Sequence, residues 1–367
     1  MAGTTATGGG SNIGPDRGGS AEGREPGVAP DRTVDDAVHH RVDDRTELGI
    51  DGLDQVSVIG TGGSATVYRA RQPALDRIVA VKVVHAAWSM ETRERFDRER
   101  EVTGRLSGQA AIVPIFQTGI TRRGEPYLLM PFYQRGSLFG LLRTRGPLPW
   151  REATFLIEGL ARTVADCHAD GVVHRDVKPG NVMLTRHAGP RLADFGITLP
   201  VGADTGAGAV AYTPSYSPPE AFRAGSVQPT VDVYALGATL WALLAGHPPH
   251  TEVGQPVEVE AVLHRASQGP PPPPTATTPG PLVELIDRAM AVAPADRPSD
   301  GTAFAAELRR AVRRSEDTET SATGRTGTAG RVRLGINRDR LVTAVLAGLI
   351  AAGVLLVLGG LGALVWS

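Results

Sequence analysis

Two lysines occur among the 38 basic residues of this 367-residue chain, and each lies inside a short motif. Lys82 ends the run VAVK, and Lys178 lies within HRDVKPGN at residues 174–181. An ammonium on a flexible stem acts as a point charge between phosphate oxygens, whereas the planar guanidinium of arginine imposes its own geometry. The two lysines therefore indicate positions where a guanidinium does not serve.

Overall composition points to an intracellular protein without a nucleic-acid partner. The formal net charge is −1 at pH 7, so nothing global indicates nucleic-acid binding. The single cysteine, Cys167, is interpreted as a buried thiol in a reducing compartment. Residues 1–52 are rich in Gly, Ala, Asp and Arg and contain no apolar stretch of signal-peptide length. This head is predicted to be disordered.

Residue periodicity between 53 and 315 indicates one globular unit with two unequal parts. The first part, residues 53–133, has short β-branched runs and one charged helical stretch at about 92–106. In the second part, residues 134–315, apolar residues recur at helical spacing. A small β-rich part is therefore expected to precede a larger helical one.

The carboxyl end has the pattern of a membrane anchor. Residues 341–366 carry no charge, and a helix of that length, at about 1.5 Å per residue, can span about 30 Å of hydrocarbon with some tilt. Four arginines between 331 and 340 place the preceding chain in the cytoplasm by the positive-inside rule. Residues 316–340 are predicted to be a flexible linker. Small residues spaced by four in the span, Ala344, Gly348 and Ala352, are compatible with a homodimer.

Three further motifs lie along the globular unit. Residues 59–67 read IGTGGSATV between two predicted strands, where glycines let a hairpin fold closely over phosphates. After the segment 174–181 come DFG at 194–196 and TPSYSPPE at 213–220. Carboxylate and amide oxygens in such a set suit a hard cation and the orientation of an attacking hydroxyl.

In this order the motifs resemble those of the eukaryotic-like serine/threonine protein kinases of bacteria, over residues 53–315. The resemblance implies an α+β, bilobal fold with a small β-rich N-lobe (53–133) and a larger helical C-lobe (134–315). It also implies transfer of the γ-phosphate of ATP to Ser or Thr hydroxyls of protein substrates. With the membrane span, the expectation is a single-pass membrane protein whose kinase domain is cytoplasmic.

Residue by residue, the resemblance assigns the nucleotide site. Lys82 corresponds to the lysine that holds the phosphates and pairs with a helix glutamate, for which Glu99 fits the register better than Glu94 or Glu101. Met130 corresponds to the gatekeeper beside adenine. The assigned ATP contacts are Ile59, Gly60, Gly62, Ser64, Val67, Ala80, Lys82, Glu99, Met130, the carbonyl of Pro131 and the amide of Tyr133.

The catalytic roles are carried over in the same way. Asp176 corresponds to the catalytic base, and Lys178 to the lysine that steadies the γ-phosphate. Asn181 and Asp194 correspond to the ligands of Mg²⁺, or alternatively Mn²⁺.

Downstream motifs add a specificity residue, an ion pair and a modification site. Thr213 resembles the threonine that contacts the catalytic aspartate in Ser/Thr-specific enzymes. Glu220 and Arg297 resemble a buried structural ion pair of the family. Thr205, in the middle of the activation segment, is our candidate for autophosphorylation.

Two positions depart from the pattern, and a rival function remains open. Ala65 stands where a third glycine is common, and Thr103 where an apolar residue usually stacks toward Phe195. The alternative to an active enzyme is a catalytically silent scaffold that keeps the kinase fold at the membrane. Such proteins usually lack the lysine, the base or a metal ligand, and this sequence has all of them.

Overall fold

A computed structural model describes residues 48–325, with short gaps. The gaps are 63–64, 86–96, 98–100, 103, 107–108, 110, 187–188, 196–198, 201–203, 206–212, 224 and 256. The chain divides into two compact units, Met1–Val312 and Arg313–Ser367. Most of the predicted head and the whole predicted span, 341–366, therefore lie outside the described residues.

The N-lobe is built on a five-stranded antiparallel sheet with the order β1-β2-β3-β5-β4. In β3, the alternating residues Val79, Val81 and Val83 share one face and form a core with Leu129 of β5. Lys82 consequently lies on the opposite face. The strands are β1 (Asp54–Thr61), β2 (Ala65–Gln72), β3 (Arg77–Val84), β4 (Gln117–Ile120) and β5 (Pro126–Pro131).

The core of the N-lobe begins earlier in the chain than the predicted boundary at 52/53. Leu48 is 6% exposed and belongs to the apolar cluster above the sheet, with Ile50 packed against it. The backbone N–H of Arg122 donates to the carbonyl of Leu48 over 3.1 Å. The side chains that make these contacts, Leu48 and Ile50, are two apolar residues separated by a glycine. Such a pattern is too short to predict a strand or a helix.

Part of the charged stretch after β3 is described and is helical. Residues 97, 101–102 and 104–106 have helical conformation, as predicted from the sequence. Val102 and Leu106 are buried in the same apolar cluster as Ile112 and Phe195.

The C-lobe packs its helices around α3, in which 14 of 16 residues are buried. A helix that is apolar all round belongs in the middle of a core. Gly246, with φ +83°, ends α3 in a left-handed conformation. The helices are α1 (Leu138–Arg145), α2 (Trp150–Ala169), α3 (Thr230–Ala245), α4 (Val259–Gln268), α5 (Gly280–Ala289) and α6 (Gly301–Arg325).

Short strands and single 3₁₀ turns lie in the connections between the longer elements. Three two-stranded ladders pair β6 with β9, β7 with β8 and β10 with β11. The strands are β6 (Val172–Val173), β7 (Val182–Leu184), β8 (Pro190–Leu192), β9 (Leu199–Pro200), β10 (Asp204–Thr205) and β11 (Gly225–Ser226). The 3₁₀ helices are Pro73–Leu75, Pro179–Asn181, Pro214–Tyr216, Pro219–Phe222 and Pro294–Asp296.

Helix α6 extends to Arg325, into the segment 316–340 that the sequence predicts as a flexible linker. The hydroxyls of Thr318 and Thr320 donate to the carbonyls of Arg314 and Glu316 one turn earlier. Both threonines thus bond to the backbone of their own helix. Of the helices in the described part of the chain, none is long and apolar enough to cross a membrane.

Close packing of α6 against α2 generates a stability prediction. A Cβ on Gly301 would lie 2.6 Å from the backbone N of Ala165, which cannot move aside as a side chain can. We expect Gly301→Ala to lower the free energy of unfolding by about 1–3 kcal/mol through overpacking. The measurement is the urea unfolding midpoint of the full chain.

Gly280→Ala is the matched control, because Gly280 also begins a helix but has nothing within 4 Å of an added Cβ. It should be neutral or slightly stabilising. Equal midpoints for the two variants would contradict the prediction.

Candidate active site

One buried carboxylate accepts hydrogen bonds from the backbone of the loop that follows β6. Asp232, on the first turn of α3, is fully buried and accepts the backbone N–H groups of His174 and Arg175, each over 2.7 Å. Arg175 has φ +73°, a conformation that costs a non-glycine residue about 1 kcal/mol or more. The two hydrogen bonds to Asp232 hold this backbone in place directly before Asp176.

A histidine connects Asp232 to the start of α6. The Nδ1 atom of His168 accepts the backbone N–H of Gly301 over 3.1 Å, so the ring proton lies on Nε2. Nε2 then donates to the Oδ2 atom of Asp232 over 2.9 Å. Burial opposes the charge on Asp232, but the hydrogen bonds from His168 and from the backbone N–H of Arg175 hold its pKa below the usual value.

His174 is a buried neutral imidazole within the same loop. Its Nδ1 atom accepts the backbone N–H of Asp176 over 3.2 Å, and its Nε2 atom donates to the carbonyl of Ala193 over 3.1 Å. Burial lowers the pKa of His174, which keeps it neutral. Its ring meets that of Phe195 edge to face, with centroids 4.6 Å apart. His174 thus ties the loop of Asp176 to the DFG segment.

Both carboxylate oxygens of Asp176 are held by side chains. The Nδ2 atom of Asn181 donates to Oδ2 over 2.8 Å and to the backbone carbonyl of Asp176 over 2.9 Å. The hydroxyl of Thr213 donates to Oδ1 over 3.0 Å. The Nζ atom of Lys178 lies 3.0 Å from Oδ2 and donates to the oxygen of Thr213 over 2.6 Å. Residues from two motifs, 174–181 and 213–220, therefore converge on one carboxylate.

Lys82 and Asp194 connect the N-lobe sheet to this loop. The Nζ atom of Lys82 donates to Oδ1 of Asp194 over 2.7 Å. Burial would raise the pKa of Asp194, but the ammonium of Lys82 outweighs it and lowers the pKa to about 2. Asp194 has φ +67°, so its backbone is held in the left-handed region. Glu99, the predicted partner of Lys82, lies outside the described residues.

Asn181 and Asp194 offer the oxygen donors that a divalent cation requires. The amide nitrogen of Asn181 faces two acceptors on Asp176, so its side-chain carbonyl oxygen points the other way. The backbone N–H of Ala193 donates to the backbone carbonyl of Asn181 over 2.8 Å. Because Ala193 directly precedes Asp194, this bond brings the two candidate ligands together. An amide oxygen and a carboxylate with a depressed pKa fit a hard metal ion.

The glycine-rich hairpin and the hinge frame the face of β3 that carries Lys82. Val67 of β2 pairs with Lys82, and Gly60 of β1 pairs with Val67. On the other side of β3, Ala80 pairs with Met130. Ile59 lies on β1, and Gly62 closes the hairpin by donating its backbone N–H to the carbonyl of Ala65 over 2.8 Å. Pro131 ends β5, and Tyr133 follows it and is half-buried. Ser64 lies outside the described residues.

Glu220 and Arg297 form an ion pair in the C-lobe. The Nη2 atom of Arg297 donates to Oε2 of Glu220 over 3.1 Å, and the arginine side chain is fully buried. Its Nε atom donates to the carbonyl of Ala291 over 2.8 Å, and its guanidinium lies 5.1 Å from the ring centroid of Tyr234. Nη1 also donates to the carbonyl of Thr230 over 3.2 Å and Nη2 to that of Val292 over 3.0 Å, so each nitrogen of the buried cation has an acceptor.

Backbone pairing locates Thr205, while its side chain is not described. Asp204 and Thr205 form β10, which pairs with Ser226 and Gly225 of β11. Thr103, whose polar side chain departs from the family pattern, lies outside the described residues.

Sequence reasoning missed two residues that hold the site, Asp232 and His168. Asp232 stands in the segment DVYALG at 232–237, which reads as part of a large-lobe helix and gives no role to its carboxylate. His168 is a single histidine on a predicted helix, for which a core position is the ordinary interpretation. The helix crossing that brings them together is a property of the tertiary structure.

Comparison with known proteins agrees with this geometry. The family described as protein kinase domain matches residues 53–309 of the chain. The chain belongs to the protein kinase family. Membership agrees with the β-sheet N-lobe and the helical C-lobe described above.

Three similar curated proteins are serine/threonine-protein kinases of mycobacteria. This kinase is 41% identical over 265 residues to serine/threonine-protein kinase PknK of Mycobacterium tuberculosis, covering 72% of this chain and 24% of PknK. It is 35% identical over 263 residues to PknL of the same species, covering 68% and 63% of the two chains. Identity to PknH of Mycobacterium bovis is 34% over 255 residues, covering 68% and 42%. The kinase therefore matches about a quarter of the length of PknK.

The role of Asp232 can be tested by an isosteric change. Asp232→Asn replaces one acceptor oxygen by an NH₂ group that faces N–H donors, and we expect it to cost on the order of 3 kcal/mol of unfolding free energy. Because the folded-state pKa of Asp232 is lowered, its contribution is present above the unfolded pKa of about 4 and is lost as the pH falls below it. The difference in unfolding free energy between wild type and Asp232→Asn should therefore become smaller in acid.

Urea unfolding midpoints between pH 7 and pH 3 measure both effects. Asp166→Asn is the control, because Asp166 is an exposed aspartate on α2. A difference in unfolding midpoint between wild type and Asp232→Asn that stays constant with pH would contradict this account of the carboxylate.

Proposed function

We propose that this chain is an ATP-dependent serine/threonine protein kinase that phosphorylates proteins, itself included, at a membrane. The observation that carries the proposal is the arrangement around Asp176, in which Asn181 and Thr213 hold its two carboxylate oxygens. A carboxylate held by both oxygens has one orientation in which to accept a proton. The names of the mycobacterial relatives support the same class of activity.

In the proposed reaction, Asp176 orients a substrate hydroxyl and accepts its proton. The hydroxyl oxygen forms a bond to the γ-phosphorus of ATP as the bond from that phosphorus to the β–γ bridging oxygen breaks, and ADP leaves. Lys178, 3.0 Å from Asp176, is close enough to balance negative charge on the transferred group. Lys82 is proposed to bind the other phosphates, since it extends from the face of β3 framed by the glycine-rich hairpin.

Metal binding in the proposed site falls to Asn181 and Asp194. They would provide oxygen ligands for Mg²⁺ or Mn²⁺, whose charge neutralises the phosphate oxygens. Lys82 contacts Asp194 in the present arrangement, so nucleotide binding would have to share this lysine between Asp194 and phosphate.

Thr213 supports a preference for Ser and Thr over Tyr as the acceptor. Its hydroxyl contacts both Asp176 and Lys178, which brings the backbone of the segment 213–217 against the catalytic carboxylate. Such a short path from segment to base favours a short side chain as the nucleophile.

Phosphate incorporation tests the proposed activity. The full chain is incubated with γ-labelled ATP and Mg²⁺ or Mn²⁺, and label on Ser and Thr is expected. Asp176→Asn should reduce the initial rate by on the order of 10²- to 10⁴-fold, because it removes the proton acceptor. Lys82→Met should raise the KM for ATP. Asp166→Asn, an exposed aspartate on α2, is the control for the charge change and should retain activity.

The outcomes of this assay separate the kinase from its rival. Label that persists unchanged in Asp176→Asn would remove the proposed mechanism. A wild type that binds ATP but transfers no phosphate would favour the silent scaffold. Mass spectrometry of active protein tests the proposed modification of Thr205, which fails if that residue is always unmodified.

Attachment to a membrane is proposed from residues 341–366 and the arginines that precede them. Confinement to a membrane would raise the local concentration of kinase domains and favour phosphorylation of one copy by another. We propose on this basis that the anchored chain forms homodimers.

Fractionation tests the anchor. We expect the full chain in the membrane fraction after a carbonate wash, and a chain ending at Arg340 in the supernatant. Leu349→Arg combined with Leu355→Arg keeps the length but adds about 2.5–3.5 kcal/mol per arginine to insertion, so this variant should also leave the membrane fraction. A full chain found in the supernatant would remove the proposal.

A further inference from the structure

One arginine of the N-lobe sheet extends to the hinge. On β2 and β3, Arg69 pairs with Ala80, and Val67 pairs with Lys82. Directly paired residues and residues two apart on a strand share one face of a sheet, so Arg69 lies on the face that carries Lys82. The guanidinium carbon of Arg69 lies 5.7 Å from the ring centroid of Phe132, the residue that follows β5. The side chain of Arg69 therefore connects β2 with the hinge.

This contact lies at the end of the sheet face that is distant from Lys82. Strand β3 lies between β2 and β5, and β5 runs antiparallel to it, with Pro131 beside Val79. Phe132 is the next residue after Pro131, so it continues toward the start of β3 and away from Lys82. The contact thus borders the part of the proposed nucleotide site that receives the base, and Lys82 borders the part that receives the phosphates.

Phe132 stands between the two backbone groups that the family resemblance assigns to adenine. These are the carbonyl of Pro131 and the amide of Tyr133. Proline has no N–H, so the ladder between β3 and β5 cannot hold the hinge through a donor on Pro131. A contact that fixes the ring of Phe132 restricts rotation of the two rigid peptide units that flank this residue, and these units carry both groups.

Both partners have the chemistry that such a contact requires. The face of an aromatic ring attracts a cation within about 6 Å of its centroid. Arg69 and Phe132 are both half-buried, so water competes less with the ring for the guanidinium than at an exposed site. Arg71, two residues further along β2 on the same face, donates instead to exposed Asp76 over 2.9 Å. An arginine on this face of β2 therefore does not reach the hinge by its residue type alone.

We infer that Arg69 is a positioning residue for the adenine nucleotide, acting through the ring of Phe132. By holding that ring at β2, it keeps the carbonyl of Pro131 and the amide of Tyr133 directed at the base. The inference rests on the proposed function, because it takes ATP to be the ligand of the hinge. Loss of the contact should weaken binding of the base and leave the phosphate contacts of Lys82 unchanged.

Nucleotide affinity of the full chain tests the inference. Binding of adenosine, and of ADP with Mg²⁺, is measured by calorimetry for wild type, Arg69→Met, Phe132→Leu and the double variant. Methionine keeps an unbranched stem without the charge, and leucine keeps apolar volume without the ring. We expect each single change to raise the Kd of both ligands about two- to fivefold, as for a partly exposed cation–π contact. The double variant should add little to either single change.

Two further variants serve as controls. Phe132→Tyr keeps the ring and should bind both ligands as wild type does, which separates the role of the ring from damage caused by substitution at this position. Arg71→Met removes an arginine from the same face of β2, but its ion pair with Asp76 is exposed, and exposed pairs contribute little. Its Kd values should equal those of wild type.

Several results would overturn the inference. Wild-type affinity in both Arg69→Met and Phe132→Leu would do so, as would fully additive effects in the double variant or a Phe132→Tyr variant as weak as Phe132→Leu. A larger loss for ADP than for adenosine would place the effect at the phosphates and also overturn it. If Phe132→Leu does not fold, Arg69→Met and Phe132→Tyr still decide, and if adenosine binds too weakly to measure, the ADP series decides. A wild type that binds neither ligand would instead remove the proposed function, which distinguishes the two failures.

Discussion

The buried carboxylate of Asp232 is the interaction on which the rest of the site depends. A fully buried charge is costly unless donors surround it, and here it accepts N–H groups from His168, His174 and Arg175. Two of these belong to the backbone of the catalytic loop, at the residue with positive φ and its neighbour. The strain of that turn is balanced by hydrogen bonds to the most buried helix of the C-lobe. Asp176 follows directly, so its carboxylate is oriented before any ligand arrives.

Two further polar contacts connect segments that lie far apart in the chain. Lys82 reaches Asp194 across 112 positions, and Arg297 reaches Glu220 across 77. Each contact joins a strand or helix end that is already fixed by apolar packing, so little additional entropy is lost when the ion pair forms. The hairpin β7–β8 has the same function for the backbone, because it receives both connections between the lobes. The site is thus assembled from rigid parts at few points of contact.

Much of the fold could be predicted, because its strongest elements carry long periodic patterns. The apolar run of α3, the β-branched run of β3 and the glycines between β1 and β2 were each sufficient to predict the element. The patterns were too short or ambiguous for Leu48, whose burial depends on the sheet beneath it. They also gave no indication that threonines after residue 315 continue α6, since a hydroxyl can bond to the helix backbone as readily as to water.

The sequence by itself determined the chemistry of this protein: two lysines, one candidate base and two candidate metal ligands, in an order that indicates phosphoryl transfer. Residue type and spacing are sufficient for that, because phosphate, metal and proton each require particular functional groups. Only the tertiary structure decided how those groups are held. His168 and Asp232 meet because α2 and α3 cross, and Thr213 reaches Asp176 although 37 positions separate them in the chain. Contacts of this kind depend on distances between elements, which local residue patterns do not encode.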